Sequence, residues 1–168
     1  MKILFDAHGC PPGNNGGSAT IIRSANTLVD LGHNVTIISN APNQHEWNEL
    51  RARYKICHDL TKVPKADAVI ATGFLSAKHV ARLPDKNGDK FHWIRGWETW
   101  IIGDLLEIKR TVLELPTKKI VNSGQLFKKL QALGYPSTIV RPGYDFDLLY
   151  PMNLRQNNRK ILHRPKIR

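Results

Sequence analysis

The chain has 168 residues, 41% hydrophobic and 23% charged, which is ordinary for a globular protein and long enough for one good core. No apolar run approaches about 18 residues, which excludes a membrane-spanning helix from the sequence pattern. Net charge is +11, a balance that suits nucleotides, anionic lipids or nucleic acid. RNP-type motifs, zinc motifs and basic–aromatic interleaving are absent, so nucleic acid is not an expected partner.

In chain order, Lys2–His8 reads as a strand apolar at nearly every position, as in a strand buried on both faces. Gly9-Cys-Pro-Pro-Gly-Asn-Asn-Gly-Gly17 follows as a glycine-rich loop. Ser18 is the expected N-cap of a helix carrying Ile21, Ile22, Ala25, Leu28 and Val29 at helical spacing. Gly32 stands where a helix-ending glycine belongs, and Asn34–Asn40 is the next strand. Strand, helix and parallel strand close within 40 residues, a βαβ unit.

Glu46–Tyr54 reads as a short helix and Lys55–His58 as a short strand. Asp67–Gly73 is a buried strand, Ser76–Leu83 a helix stopped by Pro84, and Asp85–Lys90 a turn. Phe91–Arg95 is a strand leading into Gly96-Trp-Glu-Thr-Trp100. Ile102–Leu115 has helical spacing up to Pro116. Lys119–Ser123, Gly124–Leu133 and Ser137–Arg141 complete the pattern as strand, helix and strand. Alternation on this scale predicts an α/β fold: a Rossmann-like open, mainly parallel sheet with helices on both faces. Ligands of such sheets bind where the strands end, so the loops after His8, Thr72, Arg95, Ser123 and Arg141 share one candidate edge.

Cys10 and Cys57 form no CxxC pair, and Met1-Lys2 leads directly into a strand without a signal-peptide pattern. Both features lead us to expect a cytoplasmic location and no disulfide framework. Residues 151–168 hold six basic residues and no acid. They read as a solvated linker or a binding patch.

The loop at 9–17 matches neither G-x-G-x-x-G nor a Walker A sequence. What survives is Gly16-Gly17 at the start of a helix, where free backbone N–H groups and the helix dipole favour a phosphate; a tight turn explains the glycines equally well. Two further stretches bear on that choice, Ile120-Val-Asn-Ser-Gly through Gly134 and Thr138-Ile-Val-Arg-Pro-Gly-Tyr-Asp through Pro151. In order and spacing with Gly16-Gly17 they resemble the N-terminal domain of GT-B glycosyltransferases, particularly the family 4 type. The turn Pro142-Gly143-Tyr144-Asp145 is a variant one residue shorter than the family's. Many members place a His where this chain has Arg95-Gly96-Trp97-Glu98.

The resemblance covers about residues 1–151 and implies one half of a two-domain enzyme. It implies an acceptor-side domain at 1–151, with 152–168 a basic linker and the possible opening of a C-terminal donor-binding domain. It further implies a retaining, nucleotide-sugar-dependent transferase that needs no metal or other cofactor and is inactive without its second half. Gly16, Gly17 and Ser18 would then contact the donor phosphates. Glu98 is the candidate catalytic residue, and His8, Arg95, Trp97, Glu98 and Ser123 are candidates for sugar or acceptor binding. Each also has a structural reading: His8 as a strand-end residue, Trp97 as packing, Glu98 as a helix-capping acid, Ser123 as a cap, and Asp145 as a turn residue. Expected partners are a nucleotide-sugar donor, a sugar or lipid-linked acceptor, the second domain, and a membrane surface through peripheral contact. The alternative function is a non-catalytic α/β module holding a nucleotide or phosphosugar. A Rossmann oxidoreductase is disfavoured because Asn40, not an acid, ends the second strand.

Overall fold

The computed structural model describes residues 1–143. Seven strands form one sheet: β1 (Lys2–Asp6), β2 (Asn34–Ser39), β3 (Arg53–Ile56), β4 (Ala68–Ala71), β5 (Asp89–Ile94), β6 (Lys118–Val121) and β7 (Ser137–Ile139). Their order is β3-β2-β1-β4-β5-β6-β7 and every pairing is parallel. The order reverses between β1 and β4, which is the switch point at which ligands of doubly wound sheets sit. The predicted Rossmann-like sheet is thus the observed one.

The helices are α1 (Gly16–Asp30), α2 (Phe74–Arg82), α3 (Thr99–Ile102), α4 (Leu105–Ile108) and α5 (Gly124–Ala132). Alternation along β1 sorts the core into two layers. Ile3, Phe5 and Ala7 pack with Ile21, Ile22 and Ala25 of α1 and with Val35 and Ile37 of β2. Leu4 faces the opposite layer, built from Val69, Phe74, Ala77, Val80, Ile108, Val112 and Leu130. The helix side chains in the first layer come from α1; α2, α4 and α5 supply the second. Register places Asp6, Ala71, His92, Lys119 and Ser137 in one row across β1, β4, β5, β6 and β7.

Three local expectations are corrected. Ser18 is not the N-cap: Asn15, in extended backbone, accepts the Ser18 N–H on its side chain, so Gly16 and Gly17 are the first two residues of the helix. Glu46–Tyr54 is not a helix. The Asn26 side chain donates to the Glu49 carbonyl at 2.7 Å and accepts the Arg51 N–H at 2.9 Å, holding the backbone open. The helix expected over Ile102–Leu115 starts at Thr99 and is broken at Gly103, whose φ of +85° is left-handed. The helix restarts on Asp104, whose carboxylate accepts the Glu107 N–H at 2.8 Å, and ends in a wider turn over Lys109–Leu113. Tyr144, Asp145 and everything beyond them, including the basic tail, lie outside the described residues.

Candidate functional site

The candidate site is built on the carboxyl ends of β1, β4 and β5. Gly16 and Gly17 open α1, and their N–H groups have no acceptor among the described residues, as the first positions of any helix require. The Ser18 N–H is taken by Asn15, and the Ser18 hydroxyl, itself buried, accepts the Gly13 N–H at 3.0 Å. Ser18 therefore shapes the loop.

Arg95 leaves β5 and lies against this turn. Its Nε and Nη2 donate to the Thr72 carbonyl at 3.3 and 2.8 Å, and Nη1 donates to the Gly17 carbonyl. Its guanidinium also sits 5.2 Å from the Trp93 ring centroid, a cation–π contact. Burial pushes the Arg95 side chain below its ordinary range, against the opposing pull of Glu98 and Cys10. The cation stays charged, since arginine titrates far above neutrality. A fixed positive charge and the positive end of α1 are thus side by side, an arrangement that favours an anion.

Glu98 turns to α2. Its Oε2 accepts the Phe74 N–H at 2.8 Å, capping a helix whose N-cap residue, Gly73, has no side chain to do so. Burial pushes the Glu98 carboxyl up, outweighing the Phe74 hydrogen bond and the Arg95 charge. Trp97 packs edge-on against Phe74 at 6.1 Å, and Lys129 Nζ covers its ring at 3.9 Å. Ser123 is the N-cap of α5 and accepts the Leu126 N–H at 3.3 Å. Its neighbour Asn122 donates to the Arg95 carbonyl at 3.1 Å, fixing the end of β5. Gly17, Arg95 and Glu98 are therefore brought together, whereas Ser123 and Trp97 stand to one side.

His8 belongs to a cluster that sequence reading did not assemble. Asp6 is wholly buried. Its Oδ1 accepts both the His8 backbone N–H at 2.9 Å and His8 Nδ1–H at 2.8 Å, and its Oδ2 accepts His79 Nδ1–H from α2. Burial pushes the Asp6 carboxyl up, but the hydrogen bonds from His79 and His8 outweigh it and hold it below the usual range. His8 Nε2 faces the Cys57 carbonyl. A carbonyl and a carboxylate only accept, so both contacts are hydrogen bonds when His8 carries both ring protons, as an imidazolium. Burial pushes its ring down, and the Asp6 hydrogen bond and charge more than reverse this, leaving it raised. The visible signal was Asp6-x-His8 at a strand end; His79, 71 positions after His8, had none.

The ligand atoms of Asp6, His8 and His79 lie within 4.8 Å of one another, close enough to consider a metal ion. The His8 and His79 rings are stacked, however, with centroids 3.7 Å apart and planes 16° from parallel. An ion midway between the rings would sit up to about 1.8 Å out of each ring plane, against a metal–nitrogen bond of about 2.1 Å. Imidazole lone pairs lie in the plane, so the cluster is arranged to share protons. Hollows of about 920 and 850 Å³ lie elsewhere, at the amino ends of β4–β6 and beside the body of α1.

No family model matches the chain, and no curated protein matches it. Among solved structures it is similar to one described as an alpha-glucosyltransferase in complex with UDP-glucose and DNA containing an abasic site. Identity is 13% and the TM-score 0.53, over 87% of this chain and 43% of that one. The chain spans less than half the length of the solved chain it matches. Among the described residues no helix is long and apolar enough to cross a membrane. At this identity the likeness is one of fold: the seven-stranded parallel sheet and its helices form a Rossmann-like α/β fold shared with that chain.

Proposed function

We propose that the chain is the N-terminal, acceptor-side half of a retaining, nucleotide-sugar-dependent glycosyltransferase of the GT-B kind, resembling family 4. The observation that carries this reading is the Arg95 guanidinium laid against Gly17 at the opening of α1, on the switch-point edge. In the reaction the bond from the sugar's anomeric carbon to the diphosphate breaks, a bond to the acceptor oxygen forms, and the acceptor's proton leaves with the diphosphate. Negative charge grows on that diphosphate. The Gly16 and Gly17 N–H groups and Arg95 meet it without reorganising and without a metal ion, which is stabilisation specific to the transition state. Glu98 holds α2 in place through Oε2 and turns Oε1, which has no partner among the described residues, toward sugar hydroxyls. The donor-gripping acids belong to a second domain, so the 168 residues alone hold a donor only through the turn that opens α1 and do not turn it over.

UDP-glucose is the first donor to test, because the structural neighbour holds it. Isothermal titration of the chain with UDP-glucose should give saturable binding that Gly17→Val weakens about tenfold or more. A Cβ at Gly17 would stand 3.2 Å from Asn15 Oδ1 and 3.5 Å from Arg95 Nη1, so branching there displaces both cap and cation. Unchanged affinity in Gly17→Val would remove the phosphate-loop assignment. Turnover by the 168-residue chain would remove the two-domain reading. The acceptor panel for a longer protein includes sugars, lipid-linked sugars and duplex DNA, the last because the neighbour is in complex with DNA and this chain carries +11.

A further inference from the structure

Asp6, His8 and His79 join three parts of the molecule: the end of β1, the connection after β3, and α2. His8 is the first residue of the glycine-rich loop, and that loop has little slack. Gly9 has a left-handed φ of +76°, and a Cβ there would lie 2.8 Å from Leu75 Cβ. Its N–H donates to Asn40 Oδ1 at 3.1 Å, and the Cys10 N–H donates to the Ala7 carbonyl at 3.1 Å. Pro11 and Pro12 follow with φ fixed by their rings, a stiff link to Gly13. Gly13 is tied to Ser18 in the first turn of α1. A movement at His8 therefore reaches the turn that presents Gly16 and Gly17.

We propose that His8 is a positioning residue for this loop: as an imidazolium its ring ties the turn after β1 to Asp6 and to the Cys57 carbonyl, and loss of one proton removes one of these two ties while the backbone ties of His8, Gly9 and Cys10 remain. A neutral imidazole has one donor and one acceptor nitrogen. Whichever proton leaves, a ring lone pair then faces an oxygen lone pair in a part-buried site, and one of the two bonds is lost. The loop is held more tightly at low pH and loosens as pH rises. The groups facing His8 are Asp6 from β1, the stacked His79 ring from α2, and the Cys57 carbonyl, the Cys57 thiol being donated to the Asp59 carbonyl at 3.3 Å. Among the described residues one other histidine touches the loop: His45 Nδ1–H donates to the Gly13 carbonyl at 2.8 Å, and its Nε2 lies 3.2 Å from Asn48 Oδ1. The proposal deepens the donor-loop reading and rests on it for its consequence, though not for its geometry.

The test is an NMR pH titration of the ligand-free 168-residue chain, resolving histidine ring nitrogens and backbone amides. His8 should carry both ring protons at low pH and titrate above 6.5, with the Gly9, Cys10 and Gly13 amides shifting at the same midpoint. Asp6→Asn should lower that midpoint by about one unit or more, since an adjacent carboxylate is worth one to three. His8→Gln, which cannot titrate, should abolish the step, and it serves if Asp6→Asn does not fold. Titration of His8 at or below 6.5, or loop amides that follow His45 or His79, overturns the proposal. With UDP-glucose as probe, affinity should fall about threefold or more between pH 6 and 8.5, the factor expected when a third of the chains hold the competent loop. His8→Gln should make it flat. Binding that ignores the His8 midpoint overturns the positioning role. Absence of UDP-glucose binding at every pH counts against the donor-loop reading, while the NMR step decides whether His8 positions the loop.

Discussion

Asp6 and His92 stand in the same cross-strand row with only Ala71 between them, and both are wholly buried. Their surroundings are opposite. Asp6, at the end of β1, receives three hydrogen bonds and is held ionised. His92, inside β5, has no partner for either ring nitrogen among the described residues, and it meets the edge of Phe74 at 5.7 Å. Burial, helped by the Lys119 charge, pushes it down to about 3. Burial alone therefore does not decide the charge of a side chain here; the donors that reach it do. The carboxyl edge keeps a buried ion because α2 and the turn after β1 supply donors to Asp6, whereas His92 has no such partner among the described residues.

Breaking the Asp6 network should have the largest effect. Asp6→Ala leaves the His8 and His79 ring donors without their shared acceptor and should cost about 3–5 kcal/mol in urea unfolding; a cost below about 1 kcal/mol would erase the contrast with His92. The pH dependence comes next. His92 is neutral in the fold and protonates below 6.5 when unfolded, so stability should be full above 6.5 and fall by about 1.4 kcal/mol per unit down to about pH 3. By pH 5 the loss should be about 2 kcal/mol, and His92→Leu should remove it in unfolding curves at pH 7.5, 6 and 5. His8 tilts the other way: its contribution is complete below 6.5 and disappears as pH rises through its raised native value. That of Asp6 is present above 3.8 and lost as pH falls through its lowered one.

Smaller effects sharpen the same contrast between partners brought from afar and partners close by. Glu98→Ala removes the distant acceptor that caps α2 and should cost about 1.5–3 kcal/mol, as for a bond to a charged group. Ser123→Ala removes a local cap made at 3.3 Å and should cost about 1 kcal/mol or less. Equal costs in urea unfolding would show that the distance in sequence of a partner has no energetic counterpart here.

The parallel sheet was legible because β1, β2 and β4 are compact apolar runs and α1 has a clear 3.6-residue stripe, Ile21, Ile22, Ala25, Leu28 and Val29; β3 (Arg53–Ile56) is largely exposed and charged, and the strand expected at Lys55–His58 was two residues late. Arg95 and Glu98 were legible as edge residues because strand ends locate the edge. Their partners were not. Arg95 reaches Gly17, 78 positions away, and His79 reaches Asp6, 73 positions away, through a strand order that places β4 beside β1. The capping error at Ser18 has a local cause: Asn15 stands ahead of two glycines that offer no side chain to compete, and its reach to the Ser18 N–H sets the helix start. The missing helix at Glu46–Tyr54 has a distant cause, since its backbone partners come from Asn26.

α1 supplies the helix side chains of one core layer, and its first turn is the candidate anion site. Occupancy and folding are then linked by mass action. A ligand seated on that turn at a hundred times its Kd adds about 2.7 kcal/mol to the stability of whatever unfolds with α1. A melting curve can therefore report on a ligand of that turn without any reaction being followed.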